Sequence, residues 1–221
     1  MNAQTQAPSY QEDLKTLREN LKQMLPDESL NGFDNYAKEL DQSMKDILKI
    51  KVGDTATDFT LSDQNGDPVS LSKLLQNQQI VLVFYRGAWC PYCNLQLAQL
   101  QSVLNLIEEV NGTLLAISPQ TPDTSISMVE KNNLKFQVLS DVGNSVANKY
   151  TTVFRHADEA TAILTGLGID FTGHYTDDSG EIPVPAVFVI GQDGKVKFAQ
   201  SEGADFRNRV ETSDILNALN K

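Results

Sequence analysis

The stretch that decides the fold is IVLVFYRGAWCPYC, residues 80–93. Its first part, Ile80 to Tyr85, is a continuous run of apolar residues that favour β structure. A run that does not alternate with polar residues predicts a strand that is buried on both faces of a sheet. The Cys-x-x-Cys pair follows at once, and leucines at helical spacing follow the pair. The sequence therefore predicts a buried strand, a short turn and a helix that begins at the two cysteines.

The start of this helix favours redox chemistry at Cys90 and Cys93. A helix N-terminus carries unpaired N–H groups and a positive partial charge, which lower the pKa of a thiol placed there. Pro91 suits the first helical turn, where its missing N–H is not needed. Cys93 lies three residues after Cys90, so the two Cβ atoms are about 5–6 Å apart. Slight adjustment then allows a disulfide.

The other readings of the pair are a zinc site and a pair of inert buried cysteines. The chain has only two cysteines, and a zinc site needs about four ligands. The two histidines, His156 and His174, are 18 residues apart, which fits no common zinc spacing. We therefore expect no metal. The strand, the proline and the helix start around the pair disfavour inert cysteines.

Length and charge exclude several classes of partner. The chain has 221 residues and a net charge of −11, so it gains nothing from binding nucleic acid and is repelled by anionic membranes. No apolar run approaches the roughly 20 residues of a membrane helix, and the first residues do not resemble a signal peptide. The chain has no glycine-rich nucleotide motif. We expect a cytoplasmic protein with no nucleic acid, no membrane and no cofactor.

The remaining pattern divides the chain near residue 50. Residues 1–50 predict two amphipathic helices that are interrupted at Pro26. They either pack on the domain behind them or form a homodimer contact or docking arm. Residues 51–221 predict the following elements: a hairpin over 58–71, a strand over 113–118, a helix over 123–133, a strand over 136–140, a helix over 144–150, a hairpin over 187–198 and a helix over 213–219. Residues 161–175 are ambiguous.

Three groups of residues resemble known proteins. Trp89-Cys90-Pro91-Tyr92-Cys93 resembles the thioredoxin active-site motif, and residues 58–61, 66–71 and 81–85 are similar to the N-terminal half of peroxiredoxins of the AhpC/TSA type. Residues 184–190, followed by Asp193-Gly194, resemble the cis-proline strand and hairpin of thioredoxin-fold proteins. The resemblance covers residues 51–221. It implies an α/β thioredoxin fold, with a mixed central sheet flanked by helices, behind an N-terminal helical extension.

The resemblance also implies a substrate site. A cis Val184–Pro185 bond would lie beside the cysteines, and the carbonyl and N–H groups before the proline would hold the incoming substrate. Arg86, Trp89 and Pro91 complete the expected substrate-binding residues.

The chain departs from the peroxiredoxin motif, in which a threonine lies three residues before the peroxide-reacting cysteine. If Cys93 is that cysteine, Cys90 replaces the threonine, and if Cys90 is, Gly87 replaces it. The family's arginine near the proline strand is missing. Arg86 is the first substitute, with Arg207 and Arg209 as alternates, because a cation near the sulfur lowers its pKa and polarises a peroxide. A solvated or ion-paired Arg86 is the other reading.

We therefore predict a thiol-dependent peroxidase, an antioxidant oxidoreductase of cell redox homeostasis. It would reduce hydrogen peroxide or organic hydroperoxides through Cys90 and Cys93 and be regenerated by thioredoxin or another thiol such as glutathione. The alternatives are a protein disulfide oxidoreductase and a redox-sensing module that acts through the N-terminal helices. The motif spacing favours attack by Cys93. We favour Cys90, because a sulfur at the helix end is expected to be exposed.

Overall fold

The computed structural model describes residues 7–221, except for the side chains of Ser127, Met128 and Lys131. The helices are α1 (Tyr10–Met24), α2 (Asp27–Ser43), α3 (Leu71–Leu74), α4 (Pro91–Ser102), α5 (Leu104–Glu109), α6 (Pro122–Lys131), α7 (Ala147–Tyr150), α8 (Asp158–Gly166) and α9 (Thr212–Leu219). The strands are β1 (Thr60–Asp63), β2 (Pro68–Ser70), β3 (Gln79–Phe84), β4 (Gly112–Ser118), β5 (Gln137–Ser140), β6 (Val153–Arg155), β7 (Glu181–Pro183), β8 (Ala186–Ile190) and β9 (Val196–Gln200).

Seven strands form one mixed sheet in the order β2-β1-β5-β4-β3-β8-β9. The predicted buried strand, β3, pairs in parallel with β4 and antiparallel with β8, where Phe84 lies opposite Ala186. Because side chains alternate along a strand, Val81, Val83 and Tyr85 enter the apolar cluster on the α4 side, whereas Leu82 and Phe84 enter the cluster on the other face. The predicted mixed α/β fold with helices on both faces of the sheet is confirmed.

The structure differs from the predicted elements at three places. The helix after the cysteines is interrupted at Val103, whose ψ of 11° ends α4 before α5 begins. The second N-terminal helix ends at Ser43, and Leu48 instead pairs with Thr151 as an isolated β-bridge. Strands β6 and β7 form a separate two-stranded sheet that the sequence pattern does not indicate. Each is only three residues long, too short for a visible alternation.

Helices α1 and α2 pack on their own chain. Tyr10, at the start of α1, is fully buried and its hydroxyl donates to the carbonyl of Arg207 at 2.8 Å. The Glu211 carboxylate accepts from the backbone N–H of Tyr10 at 2.8 Å. In α2, the Tyr36 hydroxyl accepts from the N–H of Ala157 at 3.1 Å, next to α8. Of the two readings of these helices, intramolecular packing is the one observed. The boundary near residue 50 stays a prediction.

Tyr10→Ala is expected to lower the free energy of unfolding by about 3–5 kcal/mol, because it leaves a cavity under α1 and removes a buried hydrogen bond. Urea unfolding measures the loss. Met24→Ala, in the same helix, is the matched control: its side chain is 77% exposed, so a change below about 0.5 kcal/mol is expected. Equal small effects of both substitutions would contradict the docking of α1.

No helix within residues 7–221 is both long and apolar enough to cross a membrane.

Candidate active site

Cys90 and Cys93 lie where β3 leads into α4. Cys90 is the N-cap residue of α4, and its carbonyl accepts from the N–H of Cys93 at 3.0 Å. Pro91 occupies the first helical position, as expected. Both cysteines are free thiols and both are buried, with exposed fractions of 1% and 0%. The expectation that Cys90 is exposed is therefore wrong, because α1 lies over the start of α4, where the Tyr10 hydroxyl is 3.5 Å from the carbonyl of Tyr92.

Arg209 contacts the sulfur of Cys93. Its Nη2 lies 3.1 Å from Cys93 Sγ, and its Nη1 donates to the carbonyls of Phe206 and Asn208 at 2.5 and 2.6 Å. The loop between β9 and α9 holds the guanidinium in place through these carbonyl contacts. The sequence named Arg209 only as an alternate, yet it lies closer to a cysteine sulfur than Arg86 does.

Arg86 contacts the sulfur of Cys90 more loosely. Its Nη1 lies 3.8 Å from Cys90 Sγ. Its guanidinium is held between two rings, with Cζ 4.6 Å from the centroid of Trp89 and 4.1 Å from that of Phe206. Only 2% of Arg86 is exposed. The reading of Arg86 as a solvated residue is therefore wrong, and cation–π contacts take the place of an ion pair.

Arg207, the other alternate, serves a different purpose. It forms ion pairs with Asp34 of α2 and with Asp205, both at 2.6 Å. Asp34 also pairs with Arg18 of α1 at 2.8 Å. Arg207 therefore joins the N-terminal helices to the loop before α9. Within the described residues its ion pairs are with carboxylates, and it does not contact a sulfur.

The two thiols share a hydrogen bond and differ in acidity. Burial alone raises the pKa of Cys93, but the hydrogen bond from Cys90 and the positive charges of Arg209 and Arg86 outweigh it and hold that pKa well below its usual range. Burial and the same hydrogen bond raise the pKa of Cys90. These directions, together with the shorter arginine contact at Cys93, make Cys93 the more acidic of the two thiols.

Aromatic residues cover the pair on the Arg86 side. The indole Nε1 of Trp89 donates to the Tyr175 hydroxyl at 2.7 Å, and that hydroxyl donates to the carbonyl of Arg86 at 3.0 Å. Phe171 packs edge-on against Trp89, with ring centroids 5.2 Å apart. Sequence reasoning missed Tyr10, Phe171 and Tyr175. The only signal was their aromatic character, and all three come from segments far from the cysteines in the chain.

Both histidines contact neighbouring side chains, and His156 is buried. The ring of His156 stacks on Phe171 at 4.6 Å, and burial together with the charge of Arg86 lowers its pKa to about 3. His156 is therefore neutral beside the buried arginine. His174 contacts the Gln120 side chain through Nδ1 at 3.0 Å.

The predicted cis Val184–Pro185 bond is wrong, since residues 7–221 contain no cis peptide bond. The trans form is the more stable one, by about 0.5–1 kcal/mol, and it suits an extended link from β7 into β8. Val184 N–H donates to the carbonyl of Thr152 at 2.8 Å, and its own carbonyl accepts from Thr151 Oγ1 at 3.0 Å. Both backbone groups expected to hold a substrate are therefore used within the protein. Val184 does belong to the apolar cluster that contains both cysteines.

Comparison with known proteins places the chain in a family. Residues 52–199 match the model of the AhpC/TSA family. Peroxiredoxin Bcp of Escherichia coli is 32% identical over 101 residues, which are 46% of this chain and 64% of that protein's length. The crystal structure of peroxidoxin BcpB from Mycobacterium tuberculosis has a TM-score of 0.60 and 25% identity, over 77% of this chain and 97% of that one.

A peroxiredoxin Q (PrxQ) mutant structure from Xylella fastidiosa is similar in fold, with a TM-score of 0.60 and 19% identity over 77% of this chain and 96% of that one. The match to the family model spans the sheet strands β1–β5 and β8, part of β9, and both cysteines. On this match, the chain belongs to the AhpC/TSA family.

Proposed function

We propose that this protein is a thiol-dependent peroxidase in which Cys93 attacks the peroxide and Cys90 resolves the product. The observation that carries the proposal is the 3.1 Å contact between Arg209 Nη2 and Cys93 Sγ. The thiolate, not the thiol, is the nucleophile, and a fixed guanidinium stabilises both a thiolate and the charge that develops on a peroxide oxygen. The family membership supports the same chemistry.

Cys90 supplies the proton. It stands three residues before Cys93, where the resembling motif has threonine, and a hydrogen bond between the two thiols contributes to the lowered pKa of Cys93. In the proposed step the Cys93 thiolate attacks one peroxide oxygen, the O–O bond breaks, and Cys93 becomes a sulfenic acid. The leaving alkoxide or hydroxide takes the proton of Cys90, so water or an alcohol leaves.

Cys90 then closes the cycle. Its new thiolate attacks the sulfenic sulfur of Cys93, hydroxide leaves, and a Cys90–Cys93 disulfide forms. An external thiol reduces the disulfide, and thioredoxin and small thiols are the candidate donors. The burial of both sulfurs supports hydrogen peroxide and small hydroperoxides, rather than bulky ones, as substrates.

Stopped-flow mixing of the reduced protein with hydrogen peroxide tests the proposal. The chain has a single tryptophan, Trp89, which lies against Arg86 and so reports changes at the site. We expect a fluorescence change with a second-order rate constant at least about 100-fold above that of a free thiol, because one positioned charge and one proton donor each contribute about that much. A rate equal to that of free cysteine would overturn the proposal.

The alternatives have less support. A protein disulfide oxidoreductase must present a sulfur to a protein substrate, and Cys90 is 1% exposed. A redox-sensing module needs free N-terminal helices, and α1 packs against α4 of its own chain through Tyr10. The proposal includes a cytoplasmic location, since a chain whose two cysteines lie only three residues apart suits a reducing compartment. A homodimer stays a prediction.

A further inference from the structure

Two buried guanidinium groups at the cysteines have no carboxylate partner. Arg86 and Arg209 are each 2% exposed, and within the described residues neither forms an ion pair. The Nε atom of each is buried without a hydrogen-bond partner in that same part of the chain. Arg207 provides the contrast, because it has two carboxylates. A buried charge without a counter-charge is costly.

The redox state of the cysteines changes the net charge around the two guanidinium groups. In the reduced protein the Cys93 sulfur lies 3.1 Å from Arg209, so a thiolate there offsets one of the two positive charges. In a Cys90–Cys93 disulfide neither sulfur carries a charge, so both guanidinium groups remain buried with nothing to balance them. The contacts at Arg209 and Arg86 therefore favour the reduced pair over the disulfide, and a couple whose reduced form is stabilised is a strong oxidant.

We propose that the Cys90–Cys93 disulfide is strongly oxidising and that its reductant is a small thiol rather than a protein thiol. This inference rests on the proposed peroxidase cycle, of which it names the reductant. Both sulfurs are buried in the apolar cluster that contains Tyr10 and Phe206 and against which Trp89 packs. This burial supports a small molecule, because a protein thiol needs an accessible sulfur.

The reduction takes place in two balanced steps. A small thiolate attacks Cys90 Sγ, the Cys90–Cys93 bond breaks, and Cys93 leaves as a thiolate beside Arg209. A leaving thiolate of low pKa departs faster. A second small thiolate attacks the sulfur of the bound small thiol, so Cys90 leaves as a thiolate and takes up a proton. Two small thiols are thereby oxidised to one small disulfide, and the protein pair is reduced.

Equilibration with mixtures of reduced and oxidised glutathione measures the equilibrium constant, with the protein disulfide quantified by alkylation and mass spectrometry. Arg209→Met is expected to shift the constant toward the protein disulfide by about tenfold or more, because it removes a charge-assisted hydrogen bond to the thiolate. Arg209→Lys retains the charge and is expected to shift it less. Arg155→Met is the matched control: it removes the same charge, but Arg155 pairs on the surface with Asp158.

A second measurement needs no variant. The thermal midpoint of wild-type protein is expected to be higher in the reduced form than in the disulfide form. A more stable disulfide form, or an equal shift in Arg209→Met and Arg155→Met, would overturn the claim that the disulfide is strongly oxidising. If thioredoxin reduces the disulfide faster than glutathione at equal concentration, the claim of a small-thiol reductant is overturned. None of these measurements uses peroxide, so their outcomes are independent of whether the protein proves to be a peroxidase.

Discussion

Cys93→Ser is expected to slow the reaction with hydrogen peroxide by roughly 10³-fold or more, because it removes the proposed nucleophile, whose sulfur Arg209 contacts. Cys90→Ser is expected to retain a fast first step, within about tenfold of wild type, since serine still offers an O–H donor at that place. Its reaction stops at the sulfenic acid, because no second sulfur is present to form the disulfide. Stopped-flow fluorescence of Trp89 measures both rates.

Cys90→Ala is the matched comparison for the proton donor. It removes the donor without adding a charge, and we expect its first step to be about 10- to 100-fold slower than that of Cys90→Ser. Equal rates in the alanine and serine variants would show that Cys90 donates no proton. A fast phase that survives in Cys93→Ser and is lost in both Cys90 variants would assign the attack to Cys90 instead.

Arg209→Met is expected to raise the pKa of Cys93 toward the ordinary thiol value of about 8.5 and to slow the reaction at neutral pH. The guanidinium holds that pKa down, so without it a smaller fraction of the sulfur is thiolate. A contact of this kind is worth about 1.5–3 kcal/mol, which is a tenfold change in thiolate fraction or more. The sulfur also becomes more nucleophilic as its pKa rises, which returns up to about half of that loss on a logarithmic scale. The lost thiolate fraction alone therefore slows the reaction by about three- to tenfold. Losing the charge that stabilises the peroxide oxygen slows it further, by up to about 100-fold.

The pH dependence of the rate distinguishes a change in the pKa of Cys93 from a general loss of structure. Wild-type protein is expected to react at full rate well below the ordinary thiol pKa and to lose rate only as the pH falls through the depressed pKa of Cys93. In Arg209→Met the inflection moves to higher pH, and at alkaline pH the part of the rate that was lost with the thiolate fraction recovers. Arg209→Lys should lie between the two, and Arg155→Met should match wild type. An unmoved inflection in Arg209→Met would contradict the role of Arg209.

The central fold could be read from the sequence because its signals are local. The apolar run at residues 80–85 corresponds to strand β3 (Gln79–Phe84), and the turn at Gly191–Gly194 joins β8 to β9 as predicted. Adjacent residues determine whether a strand is buried and where a hairpin turn forms. The small sheet of β6 and β7 is different, because each strand is formed only by pairing with a segment almost 30 residues away, Val153 with Pro183.

The candidate site was readable only in part. The cysteines and Arg86 lie within one short stretch, and the sequence brought them together. Whether Arg207 or Arg209 reaches a sulfur depends on how the loop before α9 packs on α4, and no local pattern encodes that. Tyr10 lies over the start of α4 through another long-range contact. No local pattern indicated that this contact buries Cys90. Long-range packing therefore decides which arginine lies against which sulfur.

The most direct test of the central claim is to locate the oxygen after a single turnover. Reduced Cys90→Ser is mixed with one equivalent of hydrogen peroxide, the sulfenic acid is trapped, and the labelled residue is found by mass spectrometry; Cys93→Ser is treated in the same way. We predict a single added oxygen on Cys93, formed at the fast rate, and no comparable product on Cys90. Rapid, stoichiometric oxidation of Cys90 in Cys93→Ser, with Cys93 unreactive in Cys90→Ser, would contradict the account.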